Sequence, residues 1–172
     1  ILEGNEGTNL VGSASQGVMV VRHPLAPNDF YVFSTDDVLT SSGDGFSYSV
    51  LGVDGEPTSG PTRLGSHRTT EALTATFHAN GVDIWVVCQQ SGSSKIYAYL
   101  LTCNGIDLSK TFISTVGRSL TGDDERGGLA FSWDGEMLAA AYPMLSPGAD
   151  AYDQIITYSF NKKTGELTNR QN

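Results

Sequence analysis

Short apolar runs separated by polar turns recur along the chain. In residues 127–143, GGLAFSWDGEMLAAAYP, two apolar runs flank the turn Ser-Trp-Asp-Gly. Residues 73–90 follow the same plan around Ala-Asn-Gly, and residues 17–37 repeat it with a longer turn that contains proline and asparagine. Each unit predicts a hairpin of two β-strands, because short apolar runs bounded by turn residues are typical of strands.

The three predicted hairpins recur at an equal spacing. His23, His78 and Trp133 stand just before the turn of each hairpin, so both intervals are 55 residues long. A fixed period of this length, with several short strands in each unit, indicates a propeller or a solenoid.

A third apolar run follows each hairpin and ends at a polar residue followed by glycine. Such dipeptides supply the positive φ that tight hairpin turns require. A weaker fourth run follows in the first two units, and in the third unit the sequence ends where that run is expected. The third runs are FSYSVLGVDGEP (46–57), KIYAYLLTCNGID (95–107) and QIITYSFNKKTGEL (154–167), and the fourth runs are TRLG (62–65) and TFISTVG (111–117).

The central run of each unit is apolar on both faces, as residues 30–33, 84–87 and 138–141 show. Strands that are covered on both sides have this pattern. The outer runs, such as residues 47–50, alternate between polar and apolar positions, and no segment shows a helical period with caps. The sequence therefore predicts an all-β fold, a partial β-propeller of about three four-stranded antiparallel blades.

The period also predicts how the chain is divided. We expect blades at residues 17–65 and 66–117, an incomplete blade at 118–172, and the tail of a preceding blade at 1–16. Propellers close with about four to eight blades. The chain is therefore expected to be a fragment of a larger propeller, whose remainder is absent, lies on another chain or is supplied by self-association.

Composition and charge limit the classes of partner that the chain can bind. The formal net charge of −9, with no run of lysine or arginine, argues against nucleic acid, because phosphate binding needs a basic surface. No apolar run is long enough to span a membrane, and no signal peptide is recognisable.

The two cysteines are predicted to be free. A hairpin centred on Gly92-Ser93 places Cys88 opposite Tyr97, and Cys103 opposite Val82. At about 3.3 Å per residue the two sulfurs then lie roughly 20 Å apart, which is far beyond disulfide reach.

The longest loops of the predicted blades, at residues 34–45, 64–72, 118–128 and 143–153, fall on one face of the disc, here called the long-loop face. Long loops on a rigid scaffold are where binding residues concentrate. The candidate ligand-binding residues on this face are Asp36, Asp37, Asp44, His67, Arg68, Arg118, Asp123, Asp124, Arg126 and Asp153.

Other interpretations of this face remain open. Acidic loops can simply keep a repeat protein soluble, with the arginines in local ion pairs. A calcium site is conceivable at Asp36, Asp37 and Asp44, or at residues 123–125, because hard cations bind clustered oxygens. No EF-hand loop, phosphate loop, nucleophile elbow or metal-ligand spacing is present, so we predict no catalytic residue, no metal site and no cofactor, with calcium the one left open. His23 and His78 are interpreted as structural, because they recur at equivalent positions.

Four stretches resemble a known family. They are LVGSASQGVMVVRHPLAPNDFYVFSTDD (10–37), GFSYSVL (45–51), EALTATFHANGVDIWVV (71–87) and IYAYLLTCNGI (96–106). Their order resembles the N-terminal propeller-like region of large Bacteroidetes cell-surface proteins that carry gliding-motility-associated or type IX secretion C-terminal domains. The resemblance covers about residues 10–145, with Phe30 in place of the usual first tyrosine. It implies an exported module on the bacterial cell surface, and it carries over no catalytic residue.

A second resemblance comes from the third unit. SWDGEMLAAAY (132–142) and IITYSFNKKTGELT (155–168) are similar to the repeats of lactonase-like propellers of the seven-bladed type, which include phosphogluconolactonase-type enzymes. Two hypotheses follow. The first is a non-catalytic binding or adhesion module that recognises a glycan or protein partner through the long-loop face, and the alternative is a lactonase-like hydrolase.

Overall fold

A computed structural model describes residues 15–35, 45–143 and 154–171. Within these residues the chain forms three four-stranded sheets, each antiparallel and in sequence order. The first sheet consists of β1 (Val18–Arg22), β2 (Phe30–Ser34), β3 (Ser47–Leu51) and β4 (Pro57–Arg63). The second consists of β5 (Thr69–Phe77), β6 (Ile84–Gln90), β7 (Lys95–Thr102) and β8 (Gly105–Thr115). The third consists of β9 (Gly128–Phe131), β10 (Met137–Tyr142), β11 (Gln154–Asn161) and β12 (Glu166–Gln171), preceded by a 3₁₀ turn at Gly122–Glu125.

The prediction of an all-β, propeller-like fold of about three blades is confirmed. The expectation that the third sheet lacks its fourth strand is wrong, because β12 pairs with β11 from Glu166 opposite Asn161 to Gln171 opposite Thr157. Leu167 is the one buried residue of β12. An outer strand that is almost wholly exposed has no apolar run to reveal it.

The sheets pack face to face, with the second sheet in the middle. On β6, Val86 and Cys88 belong to the core shared with the first sheet. Trp85 and Val87 belong to the core shared with the third sheet. Both faces of this strand are buried, as its uninterrupted apolar pattern predicts.

The third sheet differs from this prediction. Leu138, Ala140 and Tyr142 of β10 are buried against the second sheet. Met137, on the opposite face, is 51% exposed. The expectation that residues 138–141 are covered on both sides is therefore wrong among the described residues. Alanines are apolar, but their small side chains do not require a partner surface.

The first strand of each sheet lies innermost, as expected for blades. β5 contacts both β1 and β9, while β8 contacts β12 at the outer side of the second and third sheets. We call β1, β5 and β9 the inner strands. They begin at the end of the sheets where residues 15–17, 64–68 and 118–127 lie, which we call the loop end. They finish at the end where the hairpin turns 23–29, 78–83 and 132–136 lie, which we call the turn end.

The turns after the inner strands explain the recurring histidines. The His23 Nδ1 atom accepts hydrogen bonds from the backbone N–H groups of Leu25 (3.2 Å) and Ala26 (2.9 Å). The His78 Nδ1 atom accepts one from Asn80 (3.1 Å). Because Nδ1 accepts, the proton of the His78 ring lies on Nε2. Each histidine ring therefore stabilises the turn that follows it, by accepting hydrogen bonds from backbone N–H groups of that turn.

Trp133 is not the third member of this series. The backbone N–H groups of His23, His78 and Ser132 make the equivalent bond across each turn, to Asp29, Asp83 and Met137 respectively. The alignment that equated Trp133 with the two histidines is therefore wrong by one residue. Trp133 lies one position further into its turn, where its side chain is fully exposed.

The central apolar runs contribute Phe33, Trp85 and Ala140 to the core. Phe33, Trp85, Tyr99 and Ala140 are buried, and Phe131 is partly buried. Cys88 lies opposite Tyr97, as the hairpin geometry predicts. Cys88 is buried, Cys103 is exposed, and both are free. Among the described residues, no helix has the length and apolarity needed to cross a membrane.

Candidate functional site

The structure describes six of the ten residues predicted on the long-loop face. Asp36, Asp37, Asp44 and Asp153 lie outside the described residues. His67 and Arg68 precede β5, Arg118 follows β8, and the other three lie within or just after the 3₁₀ turn, namely Asp123, Asp124 and Arg126. They occupy connections at the loop end, and whether they bind a ligand stays a prediction.

His67 extends the aromatic core. Its ring stacks on Tyr97, with centroids 4.1 Å apart and planes 19° from parallel. Tyr97 in turn stacks on Tyr99 at 6.0 Å. Gly65 makes room for the histidine, because its φ is +122° and a Cβ there would lie 2.9 Å from the His67 ring. The ring is thereby held by packing.

Arg68 and Arg118 help to anchor loops through their backbone. Gln89, which is buried, donates from Nε2 to the carbonyl oxygens of Arg118 and Ser93. Its Oε1 atom accepts a hydrogen bond of 2.6 Å from the Tyr142 hydroxyl, and burial raises the pKa of that hydroxyl well above its ordinary value. The Arg68 carbonyl accepts from the Ser91 N–H at 3.0 Å. Buried polar groups are stable only with such partners.

The acidic 3₁₀ turn has an inward and an outward side. The Glu125 carboxylate is buried and accepts a 2.6 Å hydrogen bond from the Ser91 hydroxyl. Asp123 lies on the exposed side and pairs with the Arg126 guanidinium at 3.2 Å, an ion pair of the exposed kind that contributes about 0–1 kcal/mol. Among the described residues no cluster of three or more His, Cys, Asp or Glu side chains is placed to hold a metal ion.

Residues just before β1 tie the loop end of the inner strands together. The Gln16 side chain accepts from the Leu129 N–H (3.0 Å) and donates to the Leu129 carbonyl (3.3 Å). A single side-chain amide thus makes with Leu129 the two hydrogen bonds that one residue of a neighbouring antiparallel strand would make with it. The Ser15 N–H donates to the buried carboxylate of Glu71 on β5 at 2.7 Å.

A groove of about 680 Å³ runs along the inner strands from Gln16 to the turn end, and we call it the inner groove. Three of its lining side chains are large, apolar and exposed: Val20 is 60% exposed, Phe77 58%, and Trp133 fully. The Arg22 guanidinium is the one charged group among the described lining residues. Hydroxyl groups are contributed by Thr74, Thr76 and Ser132.

Local hydrogen bonds fix the turn that presents Trp133. The Ser132 hydroxyl donates to Asp134 at 2.6 Å, which lowers the pKa of that carboxyl, and Gly135 N–H donates to the Ser132 carbonyl at 2.9 Å. Gly135 has φ +72°, and a Cβ there would collide with the Thr76 hydroxyl. The turn therefore needs glycine, and it holds the Trp133 side chain out of the core.

The sequence pattern did not identify this groove. The turn position of Trp133 indicates exposure, but Val20 lies within an ordinary apolar run and Phe77 lies at the end of one. Nothing in a run of apolar residues shows which of them the fold leaves uncovered.

The inner groove offers contact surface and little chemistry. No histidine, cysteine, lysine or carboxylate is found among its described lining residues. No protein-family model matches the chain, and no curated protein sequence matches it.

Proposed function

We propose that the chain is a non-catalytic binding or adhesion module that holds a glycan or protein partner in its inner groove, within an exported bacterial cell-surface protein. The observation that carries this proposal is the convergence of Val20, Phe77 and Trp133, all exposed, on one groove. Contiguous exposed apolar side chains rimmed by polar groups mark interaction sites.

The residue types suit recognition. Tryptophan and arginine are the residues that most often dominate the binding energy of an interface. Burying one large apolar side chain gains about 1.5–3 kcal/mol, so Phe77 and Trp133 together can supply a substantial part of a binding free energy. Arg22 lies with its guanidinium 5.9 Å from the centre of the Phe30 ring, which positions its donors beside the groove.

Placement on the cell surface is supported by the resemblance to Bacteroidetes surface proteins, and the absence of a reactive side chain among the described lining residues favours binding over hydrolysis. Hydrolysis needs a nucleophile, an acid or a metal held in a formed pocket. The lactonase-like alternative therefore remains an outcome for the experiment to test.

The experiment is to probe the chain with a printed glycan array and a displayed peptide library, and to measure the affinity of any hit. The double variant F77A/W133A should weaken binding at least about tenfold, because it removes both aromatic contacts. The matched control is V53A/L108A, which removes two side chains of 74% and 60% exposure outside the groove. Equal losses in both variants would contradict the proposal. Turnover of a sugar lactone by the wild-type chain would establish the hydrolase instead.

A further inference from the structure

A second cleft, separate from the inner groove, lies between the outer parts of the second and third sheets at the turn end. It encloses about 390 Å³ and is called here the lysine cleft. Trp85 and Phe112 contribute apolar surface to it. Its polar lining includes Ser109 and Lys110 from β8, and Lys163 and Thr164 from the turn between β11 and β12.

The turn that carries Lys163 is fixed to the second sheet. The Trp85 indole N–H donates to the Lys162 carbonyl at 2.7 Å, and the His78 Nε2–H donates to the Lys163 carbonyl at 3.3 Å. Gly165, with φ +81°, packs so closely that a Cβ would lie 3.0 Å from the Trp85 ring. The backbone of Lys163 is therefore held in place across the cleft from Lys110.

Both ammonium groups of this cleft lack a counter-ion among the residues that the structure describes. Lys110 and Lys163 are exposed, and neither makes an ion pair or side-chain hydrogen bond with any residue that the structure describes. Lys162, by contrast, donates from Nζ to the Asp134 carbonyl at 2.7 Å. The chain has ten Lys and Arg against nineteen Asp and Glu, so two lysines that line one cleft without an ion pair to a described residue are a local concentration of positive charge.

The Asp107 carboxylate lies two residues before Ser109 and is hydrogen-bonded to it. Asp107 accepts hydrogen bonds from the Ser109 N–H (3.0 Å) and hydroxyl (2.6 Å). The Thr164 hydroxyl oxygen accepts from the Glu166 N–H at 3.3 Å, so its own hydrogen can be donated. Lys110, Lys163 and Thr164, which all line the lysine cleft, thus carry two ammonium groups and one hydroxyl that can donate hydrogen bonds.

We infer that the lysine cleft binds a phosphate group, either as inorganic phosphate or as the monoester of a small molecule. A phosphate carries about 1.5 to 2 negative charges near pH 7 and three strong acceptor oxygens, which matches two ammonium groups and a hydroxyl. This site is independent of the inner groove, and its existence does not depend on the proposed function.

The test uses Trp85 as the reporter. The chain has two tryptophans, so the W133F variant leaves Trp85, beside the cleft, as the only one. Inorganic phosphate and glucose 6-phosphate are titrated at constant ionic strength, with equilibrium dialysis to count bound ligand and fluorescence to report the location. The charge-removing variant is K110Q/K163Q. Its control is K95Q/R170Q, which removes two exposed charges that do not line the cleft.

We expect saturable binding of about one ligand per chain, weakened about tenfold or more in K110Q/K163Q and unchanged in K95Q/R170Q. Binding of both probes supports the phosphate group alone as the ligand, and binding of glucose 6-phosphate alone supports a monoester. Absence of saturable binding up to about 10 mM by dialysis, or equal affinity in the two double variants, would overturn the inference.

Discussion

At the loop end of the inner strands, buried polar side chains hold the connections together, whereas at the turn end, large apolar side chains lie exposed in the inner groove. Gln89 and Glu71 are almost completely buried, and both are hydrogen-bonded to backbone groups. Phe77 and Trp133 are exposed on a turn and strand that are themselves well fixed.

This difference is our reason for proposing that the partner binds at the turn end. A buried polar group that loses its partner costs about 1–3 kcal/mol, so the loop-end contacts are required by the fold. An exposed tryptophan contributes little to folding and keeps its full surface for a partner. This is the physical reason for placing the partner site at the turn end.

The sharpest contrast in stability is expected between the two tryptophans. Trp85→Ala should lower the free energy of unfolding by about 3–5 kcal/mol, because it leaves a large cavity between the second and third sheets. Trp133→Ala should change it by no more than about 0.5 kcal/mol. Denaturant titration of both variants measures this, and a larger loss for Trp133→Ala would mean that the hairpin register is mistaken.

Alkaline pH should destabilise the core and the loop end together. Burial raises the pKa of Tyr99 and of Tyr142 well above the ordinary value. The folded state therefore keeps both protons above about pH 10 while the unfolded chain releases them. These two groups should leave stability unchanged below that pH and lower it above that pH by up to about 1.4 kcal/mol per pH unit for each group.

Chemical denaturation between pH 8 and 11 checks this prediction. Tyr142→Phe should make the decline above pH 10 shallower, because the variant has one fewer buried hydroxyl that must stay protonated. A decline of unchanged slope in Tyr142→Phe would show that Tyr142 is not protected from ionisation in the folded state.

A substitution at the loop end should lower the stability of the fold without changing the affinity of the inner groove for its partner. Gln89→Ala removes the acceptor of the Tyr142 hydroxyl and the donor to the Arg118 carbonyl, which should cost about 1–3 kcal/mol of stability. At a temperature where the variant is folded, its affinity for the partner should match that of the wild type. A selective loss of affinity with intact stability would assign Gln89 to the binding site.

The sequence predicts the repeat well because periodic apolar runs and polar–glycine turns are local signals. They identify the three sheets, the burial of Trp85 and Phe33, and the pairing of Cys88 with Tyr97. They do not identify β12, whose side chains are exposed except for Leu167, or the uncovered face of β10. Both failures have one cause, since a strand's own residues do not show what covers it.

The inner groove was beyond prediction for a related reason. Val20, Phe77 and Trp133 come from three different sheets or their turns, and they converge only when β1, β5 and β9 lie side by side. The Gln16 amide on the edge of β9 likewise depends on three-dimensional placement. The long loops, in contrast, are visible in the sequence, which is why the candidate residues were predicted there.

The smallest effect on stability is expected for the exposed residues of the long-loop face. The double variant D123A/R126A should change the free energy of unfolding by no more than about 0.5 kcal/mol, because the Asp123–Arg126 pair is exposed. Thermal or denaturant unfolding checks this. A loss several times larger would show that the 3₁₀ turn supports the fold through more than Glu125.

The measurement that tests the central claim most directly compares two variants against one glycan or peptide identified in the binding screen. F77A/W133A alters the turn end, and D123A/D124A/R126A alters the long-loop face. We predict that the first loses at least about tenfold in affinity and that the second binds like the wild type. Loss of binding in the triple variant, with F77A/W133A unaffected, would contradict the account and place the partner on the long-loop face.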